Sequence, residues 1–226
     1  HNCLVGSEMC IRDRYKCLIF DLGGVIININ PSRTINEFSR ISNNKPSNEF
    51  EFIDYRFLKK GLKKKNIFFE FEKGSIKEEF FRNEIIKNLN VKLDNNEFNR
   101  IWNLVILNIN TDVLESIFKL RNRFSLMVLS NTNSIHKNYF EKLMFNEYGY
   151  GFNKFFDKVF YSHEMFCRKP EKKIYEMVID ECGYKPSDIL FFDDMKENIT
   201  SAKLNGIDGY HVENKKDLIN YISSLI

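Results

Sequence analysis

The stretch Ile19-Phe20-Asp21-Leu22-Gly23-Gly24-Val25-Ile26 decides how the rest of the chain is read. An apolar run stops at a single carboxylate, two glycines follow, and apolar residues resume. The run that feeds it, Cys17-Leu18-Ile19-Phe20, is short and continuous rather than alternating. That is the pattern of a strand covered on both faces in a parallel sheet. Open sheets of this kind bind ligands outside the carboxyl ends of their strands, and Asp21 stands at that end.

The same pattern returns at Ser125-Leu126-Met127-Val128-Leu129 and at Asp188-Ile189-Leu190-Phe191-Phe192. Helical periods lie around these strands. Thr111 to Arg121 sets Val113, Leu114, Ile117, Phe118 and Leu120 on one side, with Thr111 as the expected N-cap. Pro170 to Cys182 does the same with Ile174, Val178 and Ile179, and Gly183 reads as its stop. Asn198 to Asn205, closed by Gly206, is a third helix. Strands alternating with helices predict an α/β fold, a doubly wound, Rossmann-like parallel sheet.

Between about Pro31 and Leu107 the chain is rich in Phe and Lys, helical in period and without a convincing buried strand. Phe50, Phe52, Ile53, Phe57 and Leu58 form one apolar stripe, and Phe68, Phe69 and Phe71 another. Ser75 followed by Glu78 has the spacing of a capping box at a helix start. The expectation is an all-helical cap over residues 31–107, inserted into a core made of residues 15–30 and 108–226. Residues 1–14 show no period of either kind. Leu4 to Arg14 resembles translated sequencing-adapter read-through, so the fold is expected to begin at Tyr15.

Composition excludes several partners. The chain has 226 residues and is 43% hydrophobic, enough for one large domain or a core with a modest insertion. Its 34 basic and 31 acidic residues leave a net charge of +3, without the clustered excess that nucleic acid requires. The one basic run, Lys59 to Lys65, is flanked by apolar residues and reads as a solvated helix face. No apolar stretch approaches the roughly 18–20 residues that span a bilayer, so neither nucleic acid nor membrane is an expected partner. An apolar h-region is missing from the first residues, and the five cysteines contain no Cys-x-x-Cys pair. Free thiols in a cytoplasmic setting are expected. Oligomeric state is left open.

Polar residues collect at the strand ends. The first strand ends in Asp21, the second in Ser130-Asn131-Thr132-Asn133, the third in Asp193-Asp194, and Arg168-Lys169-Pro170 precedes a helix. Each alone has an ordinary use: an aspartate pair caps helices, a serine turns a loop, a lysine sits on a surface. His136, His163 and His211 have no metal-ligand spacing. A carboxylate at a strand tip can attack phosphorus, a covalent route suited to the slow hydrolysis of phosphate monoesters. Asp21, Asp194 and the Gly23 carbonyl form an oxygen set suited to Mg²⁺. Ser130 and the Asn131 N–H can donate to phosphoryl oxygens, and Lys169 can oppose developing charge. Asp193 and Asn198 would orient the metal shell and Lys169.

In order, FDLGGVI, LSNTN, the Lys of RKP, and FFDDMKEN resemble the four motifs of the haloacid dehalogenase (HAD) superfamily, in its phosphatase branch, from about Lys16 to Val212. The Asp-Leu-Gly-Gly-Val form is similar to a subgroup that includes sugar-phosphate phosphatases. The resemblance implies Mg²⁺, an aspartyl-phosphate intermediate on Asp21 and a small phosphorylated metabolite as substrate. It also shows a departure: most such phosphatases carry a second Asp, the general acid and base, where this chain has Gly23. General acid–base help is worth about 10²–10⁴-fold, so a weakened site suited to good leaving groups is expected. The alternatives are a catalytically quiet phosphoryl-binding protein, a phosphomutase, which would need the second Asp even more, and a dehalogenase, which has no use for Asp193-Asp194.

Overall fold

The computed structural model describes residues 14–42 and 66–225. The adapter-like segment up to residue 13, the Phe50–Leu58 stripe and the Lys59–Lys65 run lie outside the described residues.

The described elements run β1 (Cys17–Phe20), β2 (Ile27–Ile29), α1 (Pro31–Ile41), α2 (Ile67–Glu72), α3 (Glu78–Leu89), α4 (Asn95–Trp102), β3 (Ile106–Ile109) and α5 (Thr111–Phe118). They continue with β4 (Ser125–Ser130), α6 (Ser134–Tyr148), β5 (Lys158–Tyr161), α7 (Ser162–Met165), α8 (Lys172–Cys182), β6 (Ile189–Asp193), α9 (Lys196–Leu204), β7 (Asp208–His211) and α10 (Lys215–Ser224). Five strands form one parallel sheet in the order β5-β4-β1-β6-β7. The chain winds outward from β1 through β4 to β5, then crosses back and winds outward through β6 to β7. The order therefore reverses at β1, and the crevice of a doubly wound sheet opens at its carboxyl end.

The continuous apolar run of β1 is explained by its two covered faces. Leu18 and Phe20 join Leu126, Val128, Leu190 and Phe192 in one core, against helices α5, α6 and α10. Cys17 and Ile19 join Met127, Leu129, Ile189 and Phe191 in the other, against Ile174, Tyr175 and Val178 of α8 and Ile199 and Ala202 of α9. Phe20 and Phe192 stack at 4.6 Å across the first face. The outer strands β5 and β7 are only partly buried, so they lack that signature and the sequence pattern misses them.

Helices α1 to α4 lie between β2 and β3, which pair antiparallel so that the inserted stretch leaves and returns side by side. This ribbon was also not expected from the sequence. The helices share a core of their own, in which Phe38, Phe68, Phe71, Phe81, Phe98 and Trp102 pack as an aromatic cluster, and Ile135 of α6 reaches into it. Phe71 and Phe81 stack at 4.2 Å, and Phe81 meets Trp102 edge-on at 4.9 Å.

Several helix starts differ from expectation. Asn110, not Thr111, caps α5 by accepting from the Val113 N–H. No capping box forms at Ser75, because α3 begins at Glu78, whose carboxylate is held by Arg82 and by the Ser134 hydroxyl. Helix α8 starts at Lys172, two residues after Pro170, and α9 at Lys196 rather than Asn198. Among the described residues, no helix is long and apolar enough to cross a membrane. Cys17, Cys167 and Cys182 are free thiols.

His136 joins the inserted helices to the sheet layer. Its ring stacks on Trp102 at 5.2 Å, Nε2 lies 3.2 Å from the Trp102 carbonyl, and Nδ1 lies 3.1 Å from Asn133 Nδ2. The carbonyl needs a donor at Nε2 and the amide needs an acceptor at Nδ1, which selects the neutral ring. Burial lowers its pKa from the ordinary 6.5 to about 4. The unfolded chain therefore takes up a proton near pH 6.5 that the folded chain refuses until about pH 4. Stability should be independent of this group above pH 6.5 and fall as pH drops toward 4, by at most about 1.4 kcal/mol per unit. Denaturant titrations of wild type and His136→Gln across that window should show the extra slope in wild type alone. Parallel profiles would contradict the neutral assignment.

Candidate active site

Each candidate side chain is delivered by a strand end or by the loop beside one. Asp21 follows β1, Ser130 closes β4, Asp193 closes β6 with Asp194 next, and Lys169 lies between α7 and α8. Because β1 sits between β4 and β6, these tips converge over the crevice.

Lys169 is at the centre and is 1% exposed. Its Nζ lies 2.9 Å from Asp21 Oδ1 and 2.7 Å from Asp193 Oδ2, and it donates to the Leu129 carbonyl at 2.8 Å. An ammonium has three N–H donors, so all three are taken up. Burial opposes its charge, but Asp193 and Asp21 outweigh burial and hold its pKa above the ordinary value. The backbone is fixed as well: the Lys169 N–H donates to Asn131 Oδ1 at 2.8 Å, and Asn131 Nδ2 donates to the Lys169 carbonyl at 2.9 Å. Asn131 thus clasps the lysine loop to the tip of β4.

Asp193 is fully buried and fully engaged. Oδ1 accepts from the Met195 N–H at 2.8 Å and from Asn198 Nδ2 at 3.0 Å; Oδ2 accepts from Lys169 and, at 3.0 Å, from the same Asn198 amide. Asp21 Oδ1 accepts from the Leu22 N–H at 2.7 Å as well as from Lys169. Its Oδ2 has no partner among the described residues.

Carboxylate oxygens of Asp21, Asp193 and Asp194 lie within 4.8 Å of one another. Burial pushes the Asp21 carboxyl up, Lys169 pulls against it, and Asp193 and Asp194 add to the rise. Burial, then the charge of Asp193, raises Asp194 to about 6. Three carboxylates facing one ammonium leave negative charge uncompensated in a desolvated space, which a divalent cation would offset. With both Asp193 oxygens occupied by protein donors, Asp21 and Asp194 are the side chains left to hold one. The donor set, hard oxygens only, suits Mg²⁺.

The two glycines after Asp21 differ. Gly24 has φ +78, and a Cβ there would lie 2.3 Å from Asp194 Oδ2. Gly23 bridges to Ile27, and its Cβ would meet only the Ile29 side chain, at 3.6 Å. Glycine is thus required at 24 to let the Asp194 carboxylate in, whereas position 23 has room for a side chain. The three histidines stay apart from the three-carboxylate cluster, although His211 Nε2 reaches the Asp194 carbonyl at 3.0 Å. Two residues with no signal in the sequence also reach this region from outside. Buried Ser162 accepts from the Thr132 N–H at 2.9 Å, and buried Glu72 of α2 accepts from Arg168 Nε at 2.8 Å.

A family model described as haloacid dehalogenase-like hydrolase matches residues 15–206. The D-ribitol-5-phosphate phosphatase of Bacteroides thetaiotaomicron is 27% identical over 202 residues, covering 89% of this chain and 94% of the relative. Among solved structures, a HAD family enzyme from the same bacterium, in complex with magnesium and inorganic phosphate, matches with a TM-score of 0.77 and 30% identity. That match covers 88% of this chain and 94% of the other. A HAD-like family hydrolase from Porphyromonas gingivalis matches with a TM-score of 0.80 and 29% identity, covering 94% of this chain and 98% of the other.

The contrast between the glycines is testable. Gly24→Ala should cost about 1–2 kcal/mol from its left-handed backbone alone and should weaken divalent-cation binding by displacing Asp194. Gly23→Ala should leave cation affinity close to wild type. Calorimetric titration of both variants decides it; equal affinities would show that Gly24 does not hold the carboxylate in place.

Proposed function

The chain belongs to the haloacid dehalogenase-like hydrolases, and from that premise we propose that it is a Mg²⁺-dependent phosphatase of a small phosphorylated metabolite, of the sugar-phosphate class, acting through an aspartyl phosphate on Asp21. The observation that carries the proposal is the buried Lys169 ammonium held between Asp21 and Asp193, with Asp194 beside them. The phosphatase activity of the relative and the magnesium and phosphate bound to the solved neighbour support it.

Asp21 attacks phosphorus, its carboxylate held at Oδ1 by the Leu22 N–H and Lys169, which aims the nucleophile along the line of displacement. The P–O bond to the sugar breaks, its electrons leave on the sugar oxygen, and the phosphoryl group remains on Asp21. Ser130 and the Asn131 N–H at the tip of β4 receive the phosphoryl oxygens, and Lys169 opposes their charge. Mg²⁺, when bound by Asp21, Asp194 and the Gly23 carbonyl, supplies further charge neutralisation at the phosphoryl group. Asp193 and Asn198 hold Lys169 in register. Water then cleaves the acyl phosphate and restores Asp21. Helices α1 to α4, within the inserted stretch at residues 31–107, act as the cap that shields these steps from bulk water.

Gly23 provides neither acid nor base, so the leaving oxygen departs with most of its negative charge. The value of kcat/KM should therefore fall steeply as leaving-group pKa rises across aryl and alkyl phosphates. For good leaving groups, breakdown of the intermediate should limit turnover, with a burst preceding the steady state. Gly23→Asp should flatten the dependence, since the backbone there has room for a side chain. All phosphate release should stop in excess chelator. A wild-type slope as shallow as the variant's would place the proton donor elsewhere, and full activity in chelator would overturn the Mg²⁺ assignment.

A further inference from the structure

The end of α2 touches both loops that carry the phosphatase machinery. Glu72, 4% exposed, pairs through Oε2 with Arg168 Nε at 2.8 Å, and Arg168 is the residue before Lys169. The Arg168 guanidinium also lies over the Phe69 ring at 4.0 Å, so α2 grips it from two sides. Next to this pair, Lys73 meets Glu171 at 2.5 Å on the far side of Lys169. The Glu72 carbonyl lies 2.6 Å from the Ser162 hydroxyl, whose oxygen accepts from the Thr132 N–H two residues after Ser130. The following turn approaches so closely that a Cβ on Gly74 would lie 2.1 Å from the His163 carbonyl.

These contacts join parts of the chain about a hundred residues apart, and none involves the ribbon of β2 and β3 where the inserted helices attach. They are seating contacts, made where α2 meets the sheet layer. Resting on the phosphatase reading above, we propose that Glu72 is a positioning residue: through Arg168 it sets the loop of Lys169, so that the lysine is in register for the transferring phosphoryl group only when the inserted helices are seated. A buried carboxylate at this place is costly unless its cation is present, which gives the pair one geometry rather than several. The Asn131 clasp then passes that geometry to the tip of β4.

Orthovanadate, a mimic of the five-coordinate phosphoryl group, reads the effect per folded molecule when its dissociation constant is measured by calorimetry with Mg²⁺ present. Glu72→Gln keeps the shape and removes the charge. It should weaken vanadate binding by roughly ten- to hundred-fold and lower kcat more than it changes KM, while Mg²⁺ affinity stays at the wild-type value. Arg168→Lys, which keeps the charge but loses Nε, should do the same, and it serves if Glu72→Gln does not fold. The double variant should be no weaker than the weaker single. Unchanged vanadate binding in variants that fold would overturn the role of Glu72. So would a parallel loss of Mg²⁺ affinity, which marks general loosening, or additive effects in the double. Wild type that binds Mg²⁺ but no vanadate would instead overturn the phosphatase reading, and this inference with it.

Discussion

One buried cation organises this molecule. An ammonium as deep as that of Lys169 is unfavourable unless every N–H has an acceptor and opposite charge lies close. Its acceptors come from three neighbouring strands: Asp21 after β1, Leu129 in β4 and Asp193 in β6. The position of each strand tip is therefore coupled to the other two. Removing one carboxylate would leave the ammonium under-compensated; removing the lysine would leave the acidic cluster without a counter-charge. Asn198, Asn131 and the Met195 N–H add no charge, but they limit the geometry that the cluster can take.

The same crowding explains the backbone after β1. Asp194 needs space beside Asp21, and the absence of a Cβ at Gly24 provides it. Gly23 meets no such demand, so the missing carboxylate there is a chemical difference rather than a steric one. On the proposed reading, with Asp21 as nucleophile and glycine at 23, the site would favour leaving groups that depart unaided. Such a chain should form its intermediate readily and release it slowly.

Much of this was readable in the residues, for reasons that differ by element. Strands β1, β4 and β6 are covered on both faces, and unbroken apolar runs mark them. Edge strands β5 and β7, half-buried, present mixed patterns such as Asp208-Gly209-Tyr210-His211 that no period identifies. The aromatic stripe at Phe68, Phe69 and Phe71 signalled helix packing; Phe68 and Phe71 do lie in the helical cluster, whereas Phe69 faces the Arg168 guanidinium instead. Helix starts were harder, since Asn110 competes with Thr111 for one cap and backbone geometry decides between them. The polar strand ends pointed to a common place because all stand at the carboxyl ends of strands read as parallel; that β1 lies between β4 and β6 came from the structure. The Asn131 clasp, the Gly24–Asp194 approach and the Glu72–Arg168 pair were not legible. Each depends on distances between residues that have no sequence relation.

The central claim is that Asp21, aimed by Lys169, takes the phosphoryl group. The direct measurement is rapid acid quenching during turnover of a good-leaving-group phosphate, followed by peptide mass mapping. The account predicts a phosphorylated peptide whose modified residue is Asp21, built up during the burst, decaying as substrate is exhausted, and missing from Asp21→Asn. Sustained turnover with no phosphate on Asp21, or with phosphate on another residue, would contradict it.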